Sequence, residues 1–375
     1  MLSVLPVPSH NRHLVKRFIR LPHRLYRGNP HWVPLLDTDA RRYFDRDNFP
    51  FYEHSDAAFF LAVQDGQDVG RIAVLEHSLF NQTHGVRQAQ FYFFDTIDDL
   101  AVAQALIDAA TAWATQRGLT RLVGPKGFLV LDGYGVLIEG FDWPQAMAFN
   151  NYNHAYYAPL LEAQGFAKVV DFRSAVLNVN SFQPPAWVET LVAQMRRRAE
   201  FAIGPYGSVK ELVAAGPDLF RLYNRAFADN WEYYPLSEKE ITFMVSDLKP
   251  VVIPGMMQIM GPLDRPVGLL FGLPDLSAAL RSSKGRLTPW SIARLLWAKQ
   301  RPRRAALVAI AVAEAQRRQG GNVLLIYEFA QILKAMGIEE VELINIAETA
   351  ETMDRDLAAL GIQPAKVHRV YGKEI

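Results

Sequence analysis

Cysteine is absent from the 375 residues of this sequence. Its absence excludes disulfide bridges, thiolate catalysis and metal sites built on sulfur, and it suits a reducing compartment. A strong charge of one sign is also missing, because 40 Lys and Arg residues balance 39 Asp and Glu residues. The composition therefore predicts no nucleic-acid partner. The 9 histidines are scattered along the chain, so we expect no metal site.

Long apolar runs are missing as well. No run approaches the ~20 residues that a membrane-spanning helix needs. The first residues are interrupted by Pro6 and Pro8 and do not match a secretory signal peptide. We therefore expect a cytoplasmic protein, with peripheral contact to the inner membrane as a second hypothesis.

Apolar residues make up 50% of the chain and follow an order that occurs twice. The first half predicts strands over 59–63, 69–75, 90–94 and 119–123, helices over 98–116 and 156–164, and an extended stretch over 169–179. The second half predicts strands over 256–260, 267–271, 306–312, 341–345 and 366–371, and helices over 321–336 and 350–360. We predict an α/β fold with a mixed sheet and two tandem domains, 1–180 and 181–375. The division lies where Pro184 and Pro185 prevent a strand from continuing.

The segment 308–325 carries the most informative chemistry. A buried strand runs into a turn with arginines and two adjacent glycines, and a helix then begins. A helix start presents unpaired N–H groups and the positive end of the helix dipole, which attract anions. Glycine allows close approach of a phosphate, and arginine adds charged donors. The turn thus predicts a phosphate site; the alternative is a solvated turn whose glycines serve only the chain reversal.

The order of elements, together with Arg317-x-x-Gly320-x-Asn322, resembles the GNAT superfamily of N-acetyltransferases. The loop of that family reads Arg/Gln-x-x-Gly-x-Gly/Ala and holds the pyrophosphate of acyl-coenzyme A, so Asn322 departs from the motif. In the first half the corresponding place holds three carboxylates within 95–99, which repel a pyrophosphate. The resemblance implies that the second half binds acyl-CoA as a co-substrate and that no cofactor is permanently bound. The residues it implies for this binding are Val312, Arg317, Arg318, Gln319, Gly320, Gly321 and Asn322.

A closer resemblance extends over about two-thirds of the chain, to a group of bacterial double-GNAT proteins. The motifs that carry it are Gly124-Pro125, Gly140-Phe-Asp142, Tyr152-Asn-x-x-Tyr-Tyr157, Gly165-Phe166, Asn230-Trp231, Leu273-Pro-Asp275, Gly285-Arg-Leu287 and His368-Arg-Val-Tyr-Gly-Lys373. This group is similar to bacterial enzymes that acylate long-chain amines. The resemblance implies an N-acyltransferase without fixing its substrate.

The GNAT reaction requires few catalytic side chains, because the amine attacks the thioester directly and only a base and an acid are needed to transfer protons. Glu314, at the end of a strand, is the candidate base; the alternative is a surface carboxylate paired with Arg317. The family's acid is a Tyr on the penultimate helix, which the second half lacks over 350–360. Either the acid is dispensable, or it comes from Tyr156 or Tyr157 in the first half or from Tyr371.

The long segment 124–153 predicts an acceptor pocket, because a loop of this length usually has a function or structure of its own. The alternative is a loop that covers a sheet edge. We assign Asp132 a catalytic role. The candidate residues for binding the acceptor are Tyr134, Asn150, Asn153, Asn230, Trp231 and Asp275.

The insertion 282–304, and within it the segment 285–304 that we call the basic segment, combines a helical apolar face with arginines and lysines. The apolar face consists of Trp290, Ala293, Leu296 and Trp297. One hypothesis places this helix on an anionic membrane surface or at a lipid acceptor. The favoured alternative packs its apolar face on the second domain.

These observations predict an acyl-CoA-dependent N-acyltransferase that acts on a small-molecule amine. One rival is a long-chain acyltransferase that acts on a lipid-like amine at the membrane surface. The other rival is a non-catalytic CoA-binding or lipid-binding regulator.

Overall fold

The computed structural model of the protein describes residues 1–147, 149–198, 201–204, 208–228, 230–231, 233–262 and 265–375. The chain divides into two compact units, each built from separate stretches. Unit 1 comprises Met1–Phe172, Ser277–Leu295 and Lys366–Ile375. Unit 2 comprises Arg173–Leu276 and Leu296–Ala365.

The helices and strands follow one another along the chain in two stretches. The first contains β1 (Leu2–Pro6), α1 (Arg12–Leu25), α2 (Asp37–Arg42), β2 (Asp56–Gln64), β3 (Gln67–Glu76), α3 (Ser78–His84), β4 (Gln88–Thr96), α4 (Leu100–Gln116), β5 (Arg121–Gly124), β6 (Val136–Glu139), α5 (Tyr157–Glu162) and β7 (Ala167–Asn178). The second contains α6 (Ala186–Met195), β8 (Ile203–Gly204), α7 (Val209–Phe227), α8 (Glu238–Leu248), β9 (Met257–Met260), β10 (Gly268–Pro274), α9 (Ser277–Ser283), α10 (Pro289–Gln300), β11 (Arg304–Val312), α11 (Glu314–Arg317), α12 (Gly321–Ala335), β12 (Glu340–Ala347), α13 (Glu351–Ala359) and β13 (Pro364–Glu374).

The sheet of unit 1 runs in the order β1-β2-β3-β4-β5-β13, with β6 also paired to β13. Strands β4 and β5 are parallel, and the other neighbours are antiparallel. The buried face of α4 (Val102, Leu106 and Ile107) packs in the core with Ile72, Phe91 and other sheet residues. Burial of these side chains stabilises the unit by about 25 cal/mol per Å² of apolar surface.

The sheet of unit 2 runs in the order β12-β11-β10-β9-β8. Strands β11 and β12 are parallel. The pairs β11–β10, β10–β9 and β9–β8 are antiparallel. Helix α12 is apolar along most of its length, and Leu324, Leu325 and Phe329 lie in the core of this unit together with residues of α6. Each unit thus contains one parallel strand pair in a mostly antiparallel sheet.

The predicted α/β fold with a mixed sheet is confirmed, and all predicted strands and helices are present. Strand β6 lies inside the segment 124–153, which was expected to be a loop. The compact units differ from the predicted ranges 1–180 and 181–375, since β13 pairs with β5 and β6 of unit 1. Residues 277–295, which were expected within the second domain, also belong to unit 1.

Candidate active site

The parallel strands of unit 2 separate along their length. Strands β11 and β12 pair from Arg304 and Glu340 as far as Leu307 and Leu343, although they continue to Val312 and Ala347. The register between β10 and β11 shifts at Phe271 and Gly272, just where this pairing ends. The side chains of 308–310 and 345–347 are half-buried, whereas those of the paired stretch 305–307 are buried. The two strands therefore leave an opening between their carboxyl ends.

The loop that follows β11, residues 313–322, brings backbone amides to this end of the strand. We call it the glycine loop. Gly320 has φ +94 and precedes α12 without a side-chain cap. The first backbone bond into α12 runs from Leu324 N to Gly320 O, at 3.0 Å. Within the described residues, the N–H groups of the first turn thus have no partner, which gives an anion site at the positive end of the helix dipole.

A side chain does not fit at Gly321. A Cβ there would lie 2.9 Å from both Gln316 O and Val312 Cγ1. Val312 is buried beneath this position. These two residues thus hold the backbone of the loop close to the end of β11.

The charged side chains of the glycine loop are arranged differently from the prediction. Glu314 is exposed and forms an ion pair with Arg318 at 2.5 Å. It is thus a paired surface carboxylate, as in the alternative interpretation, but its partner is Arg318 and not Arg317. Gln319 accepts a hydrogen bond from Nη1 of Arg198 at 2.6 Å. Arg317 is half-buried, and its side chain has no hydrogen bond or ion pair within the described residues. Arg317 is therefore the cation of the loop that is available to an anion.

Asn322, which departs from the family motif, is 4% exposed. Its Nδ2 donates to Oδ2 of Asp356 on α13, at 2.9 Å. Burial raises the pKa of Asp356, although the bond from Asn322 opposes this shift. A hydrogen bond to α13 thus holds the carboxamide of Asn322.

The corresponding helix of unit 1 begins in another way. Asp99 accepts hydrogen bonds from the N–H groups of Ala101 at 2.8 Å and of Val102 at 3.4 Å. A carboxylate therefore already occupies the positive end of α4, where it satisfies the orphan donors. Asp95, another of the three carboxylates within 95–99, is buried and forms an ion pair with Arg71. The start of α4 is therefore capped by a carboxylate, in contrast to the start of α12.

Unit 1 contains a buried network of polar side chains around Asp95. Nε of Arg71 donates to Oδ2 of Asp95 at 2.7 Å, and the hydroxyl of Tyr26 donates to Oδ1 at 2.9 Å. The hydroxyl of Tyr157 lies 3.1 Å from that of Tyr26 and accepts from Thr96 N at 3.0 Å. Burial, followed by the charge of Asp95, raises the pKa of both tyrosines well above the ordinary value. Both hydroxyls therefore keep their protons at neutral pH.

A cavity of about 100 Å³, which we call the unit 1 cavity, lies against this network. Two predicted acceptor residues, Asn150 and Asn153, line it. Sequence reasoning missed other lining residues, namely His23, Trp32, Arg71, Tyr92 and Gln145. The available signal was Arg71 itself, a charged residue within the apolar strand pattern 69–75.

The other predicted residues of unit 1 have structural contacts. Asp132 accepts from the N–H groups of Phe128 and Leu129 at 2.8 and 3.0 Å and from the Tyr43 hydroxyl at 2.7 Å. Tyr134 stacks on Phe172. These contacts fix the segment 124–153.

The three candidate acids lie in unit 1. The hydroxyl of Tyr156 donates to Thr96 O at 2.8 Å, and burial, followed by the charges of Asp98 and Asp95, raises its pKa to about 12. Tyr157 belongs to the buried network. The hydroxyl of Tyr371 donates to Glu162 at 2.8 Å. Each of these hydroxyls is thus already engaged within unit 1.

The remaining predicted acceptor residues belong to unit 2. Asp275 forms an ion pair with Arg304 at 3.8 Å, at the start of β11. Asn230 is exposed and Trp231 is half-buried, in the segment between α7 and α8. The predicted acceptor residues are therefore divided between the two units.

Helix α10, in the basic segment, exposes its apolar side chains. Trp290 is 78% exposed, Trp297 is 60% exposed and Leu296 is 56% exposed. The favoured alternative, in which this face packs on the second domain, is therefore wrong. Within the described residues, no helix has the length and apolar character to cross a membrane.

No family model matches the sequence. The chain is 28% identical to Protein YghO of Escherichia coli (strain K12), over 97% of this chain and 94% of that protein. It is also 28% identical to a bacterial ceramide synthase of Caulobacter vibrioides, over 100% of this chain and 98% of that protein.

Solved structures resemble the whole chain. A tandem GNAT protein from the clavulanic acid biosynthesis pathway aligns with a TM-score of 0.56 and 13% identity, over 100% of this chain and 98% of that chain. A GCN5-related N-acetyltransferase from Sphaerobacter thermophilus aligns with a TM-score of 0.51 and 15% identity, over 100% and 95% of the two chains. The predicted resemblance to the GNAT superfamily is confirmed for the fold, which is a tandem of two GNAT-like domains.

Proposed function

We propose that this protein is an acyl-CoA-dependent N-acyltransferase whose glycine loop binds the diphosphate of the acyl donor. The observation that carries the proposal is the contrast between two helix starts. Within the described part of the chain, the first turn of α12 has no side-chain cap and comes shortly after Arg317, whose side chain has no ion pair, whereas Asp99 caps α4. An uncapped helix start with a nearby arginine favours a doubly charged diphosphate.

The chemistry in this proposal is direct acyl transfer. The amine nitrogen attacks the thioester carbonyl carbon, the carbon–sulfur bond breaks, and CoA leaves with the proton that the amine gives up. The opening between β11 and β12 positions the thioester, because backbone groups released from strand pairing face it. Glu314, at the start of α11, is the proposed base and acts through water.

The donor site is tested by titrating CoA into the protein and into Arg317→Glu. We expect the reversed charge to weaken CoA binding at least about tenfold, since it removes a charge-assisted contact and adds repulsion. Lys334→Glu is the matched control, because Lys334 is exposed in the last turn of α12, at the other end of the helix from the glycine loop. Equal CoA affinity for the protein and Arg317→Glu would remove this site assignment.

Turnover separates the enzyme from a non-catalytic regulator. Because the chain has no cysteine, a thiol-reactive dye reports only the CoA that is released. We expect release from acyl-CoA that depends on an added amine. A protein that binds CoA but releases no thiol with any amine of a broad panel would be a regulator instead.

A lipid-like amine is the acceptor that the exposed helix favours. The side chains of Trp290 and Trp297 are exposed to solvent, although tryptophan is enriched at membrane interfaces. The basic segment also carries exposed arginines, which attract anionic lipids: Arg286, Arg294, Arg301 and Arg303. One relative is named a ceramide synthase, and a ceramide is an N-acylated long-chain amino alcohol. We therefore propose a long-chain amine that is acylated at an anionic membrane surface.

Vesicle co-sedimentation tests this membrane contact. We expect binding to vesicles with anionic lipid, weaker binding to zwitterionic vesicles, and loss of binding in the Trp290→Ser, Trp297→Ser double variant. Trp187→Ser is the control, because Trp187 is 46% exposed but lies outside the basic segment. Equal sedimentation of the double variant and the unmodified protein would contradict the proposal.

A further inference from the structure

Helix α1 of unit 1 has an exposed face on which the charged side chains are all basic. The helix contains no Asp or Glu, and its buried side chains include Val15, Phe18 and Ile19. Cations recur at every fourth position along the helix, and residues four apart lie on one helix face. One more cation follows the end of the helix. We call these residues the α1 stripe: Arg12, Lys16, Arg20, Arg24 and Arg27.

Most of the α1 stripe is available to a partner. All its members except Arg20 are exposed, and the side chains of these exposed members form no hydrogen bond or ion pair within the part of the chain that the structure describes. Arg20 is neutralised by Asp37, at 2.7 Å. The chain as a whole carries a formal charge of only +1. The stripe is therefore a local concentration of positive charge on a nearly neutral protein.

The α1 stripe adjoins the basic segment within unit 1. Nη1 of Arg20 donates a hydrogen bond to Lys284 O at 3.2 Å, and Asp37 N donates to Gly285 O at 2.7 Å. A Cβ at Gly285 would lie 3.1 Å from Cε1 of His23. These contacts place the start of the basic segment beside the second half of α1.

The pKa of His23 indicates that cations of the two elements lie close together. Burial, followed by the charges of Arg20, Arg71 and Arg286, lowers this pKa to about 4. Because Arg20 belongs to the α1 stripe and Arg286 to the basic segment, their positive potentials overlap at His23. Like charges that are held close together repel, and an anionic surface bound beside them relieves this repulsion.

The part of the basic segment that belongs to unit 1 carries apolar as well as basic side chains. Its exposed cations are Arg286 and Arg294. Leu287 is 46% exposed, Trp290 is 78% exposed and Ile292 is 44% exposed. Aliphatic and indole side chains enter the boundary between lipid headgroups and acyl chains, whereas nucleic acids are bound mainly through their phosphates. The combination therefore favours an anionic membrane over a nucleic acid.

We propose that the α1 stripe is a second contact with an anionic membrane, in which its cations bind lipid headgroups while the exposed apolar side chains of 287–292 enter the bilayer surface. The inference rests on the membrane contact in the proposed function and extends it by giving unit 1 an electrostatic contact of its own. Near an anionic membrane, each Lys or Arg raises the affinity about fivefold. The stripe therefore supplies the preference for anionic lipid, and the tryptophans of the basic segment supply insertion.

Co-sedimentation with mixed phosphatidylglycerol and phosphatidylcholine vesicles tests the stripe. Lys16→Glu and Arg24→Glu each reverse one charge, so we expect each to weaken binding at least about tenfold. Each should also lose much of the preference over pure phosphatidylcholine vesicles and of the sensitivity to salt. Arg87→Glu is the matched control, because Arg87 is exposed, precedes β4 and belongs to neither element. Equal binding of the unmodified protein and both stripe variants would overturn the inference.

The outcomes separate this inference from the proposed function. If the Trp290→Ser, Trp297→Ser double variant loses sedimentation while the stripe variants bind normally, the stripe has no role and the tryptophan contact stands. Arg317→Glu should sediment like the unmodified protein, so failure of the donor site leaves this test intact. Binding of the stripe to single-stranded RNA, with no binding to the vesicles, would identify a nucleic-acid surface and overturn the inference.

Lysine footprinting tests the same surface without any variant. An amine-reactive reagent should modify Lys16 and Lys284 more slowly when the mixed vesicles are present, because both side chains then lie against lipid headgroups. Lys168, an exposed lysine of β7 in unit 1, is the control and should react at an unchanged rate. Unchanged reactivity of Lys16 in the vesicle-bound protein would overturn the inference.

Discussion

At the scale of single residues, the departures from the family motif have structural partners. Asn322 replaces a small residue of the motif, and its amide bonds to Asp356. Glu314 pairs with Arg318, which leaves Arg317 to the ligand. Sequence reasoning identified these residues because they lie close together in the chain, within 313–322. It did not identify their partners, because a contact between α12 and α13 leaves no local pattern.

The left-handed conformation of Gly320 predicts a cost for any side chain there. In Gly320→Ala, a residue with φ +94 would also place its Cβ 2.9 Å from Cδ2 of Leu191. We expect a loss of about 1–2 kcal/mol in unfolding free energy from the backbone, together with weaker CoA binding as the loop shifts. Gly337→Ala is the control, because Gly337 has φ +72 with nothing within 4 Å. Urea unfolding and CoA titration check both; equal CoA affinity in the two variants would contradict the prediction.

Buried His368 predicts how stability depends on pH. Burial, followed by the charge of Lys366, lowers its pKa to about 3 from an ordinary 6.5, although the bond to Asn151 O opposes this. Between these pH values the unfolded chain binds more protons, so the free energy of unfolding rises with pH across this window. We expect His368→Gln to reduce that slope, as measured by urea unfolding from pH 4 to 7. His10→Gln, at an exposed position, should not; an unchanged slope for His368→Gln would refute the assignment.

At the scale of elements, the starts of α4 and α12 differ in what occupies them. The Asp99 cap predicts that Asp99→Ala lowers the unfolding free energy by about 1 kcal/mol. Asp108→Ala, on an exposed face of the same helix, should change it little. Chemical denaturation of both variants checks this. Because Asp95 stays in place, Asp99→Ala should not create a second CoA site; a CoA stoichiometry that rises in the variant would contradict the account.

The elements that the sequence predicted are those with a clear hydrophobic period, such as α4 and the hairpin of β2 and β3. Strand β6 was missed because it is short and lies between glycines and prolines, within 124–153. The helix of the basic segment was predicted, but its exposure was not. Amphipathic spacing is the same for a face that packs on a sheet and for one that meets a membrane.

At the scale of the whole molecule, the division into units follows strand pairing rather than chain order. Strand β13 lies in unit 1 because Tyr371 to Glu374 pair with β5. The tandem fold was predictable, since each half repeats one order of elements. The position of the last strand was not predictable, because the residue pattern of a strand does not indicate which strand it pairs with. The unit 1 cavity was also beyond prediction, since Tyr26, Arg71, Asp95 and Tyr157 are distant in sequence.

Removal of residues 366–375 tests this pairing. We expect unit 1 to lose stability, because β5 and β6 lose their partner and Tyr371 leaves the core. Hydrogen exchange should quicken in β4, β5 and α5 more than in β9 to β11. The single change Tyr371→Phe, which removes the hydroxyl and its bond to Glu162 but keeps the ring, is the milder control. Faster exchange confined to unit 2 would contradict the observed topology.

The central claim is that the first turn of α12 captures the diphosphate of CoA. A crystal structure of the protein with CoA measures this most directly. We predict diphosphate oxygens within hydrogen-bonding distance of the N–H groups of Gly321 and Asn322 and of the Arg317 guanidinium. A diphosphate bound at any other place, with this helix start empty, would contradict the account.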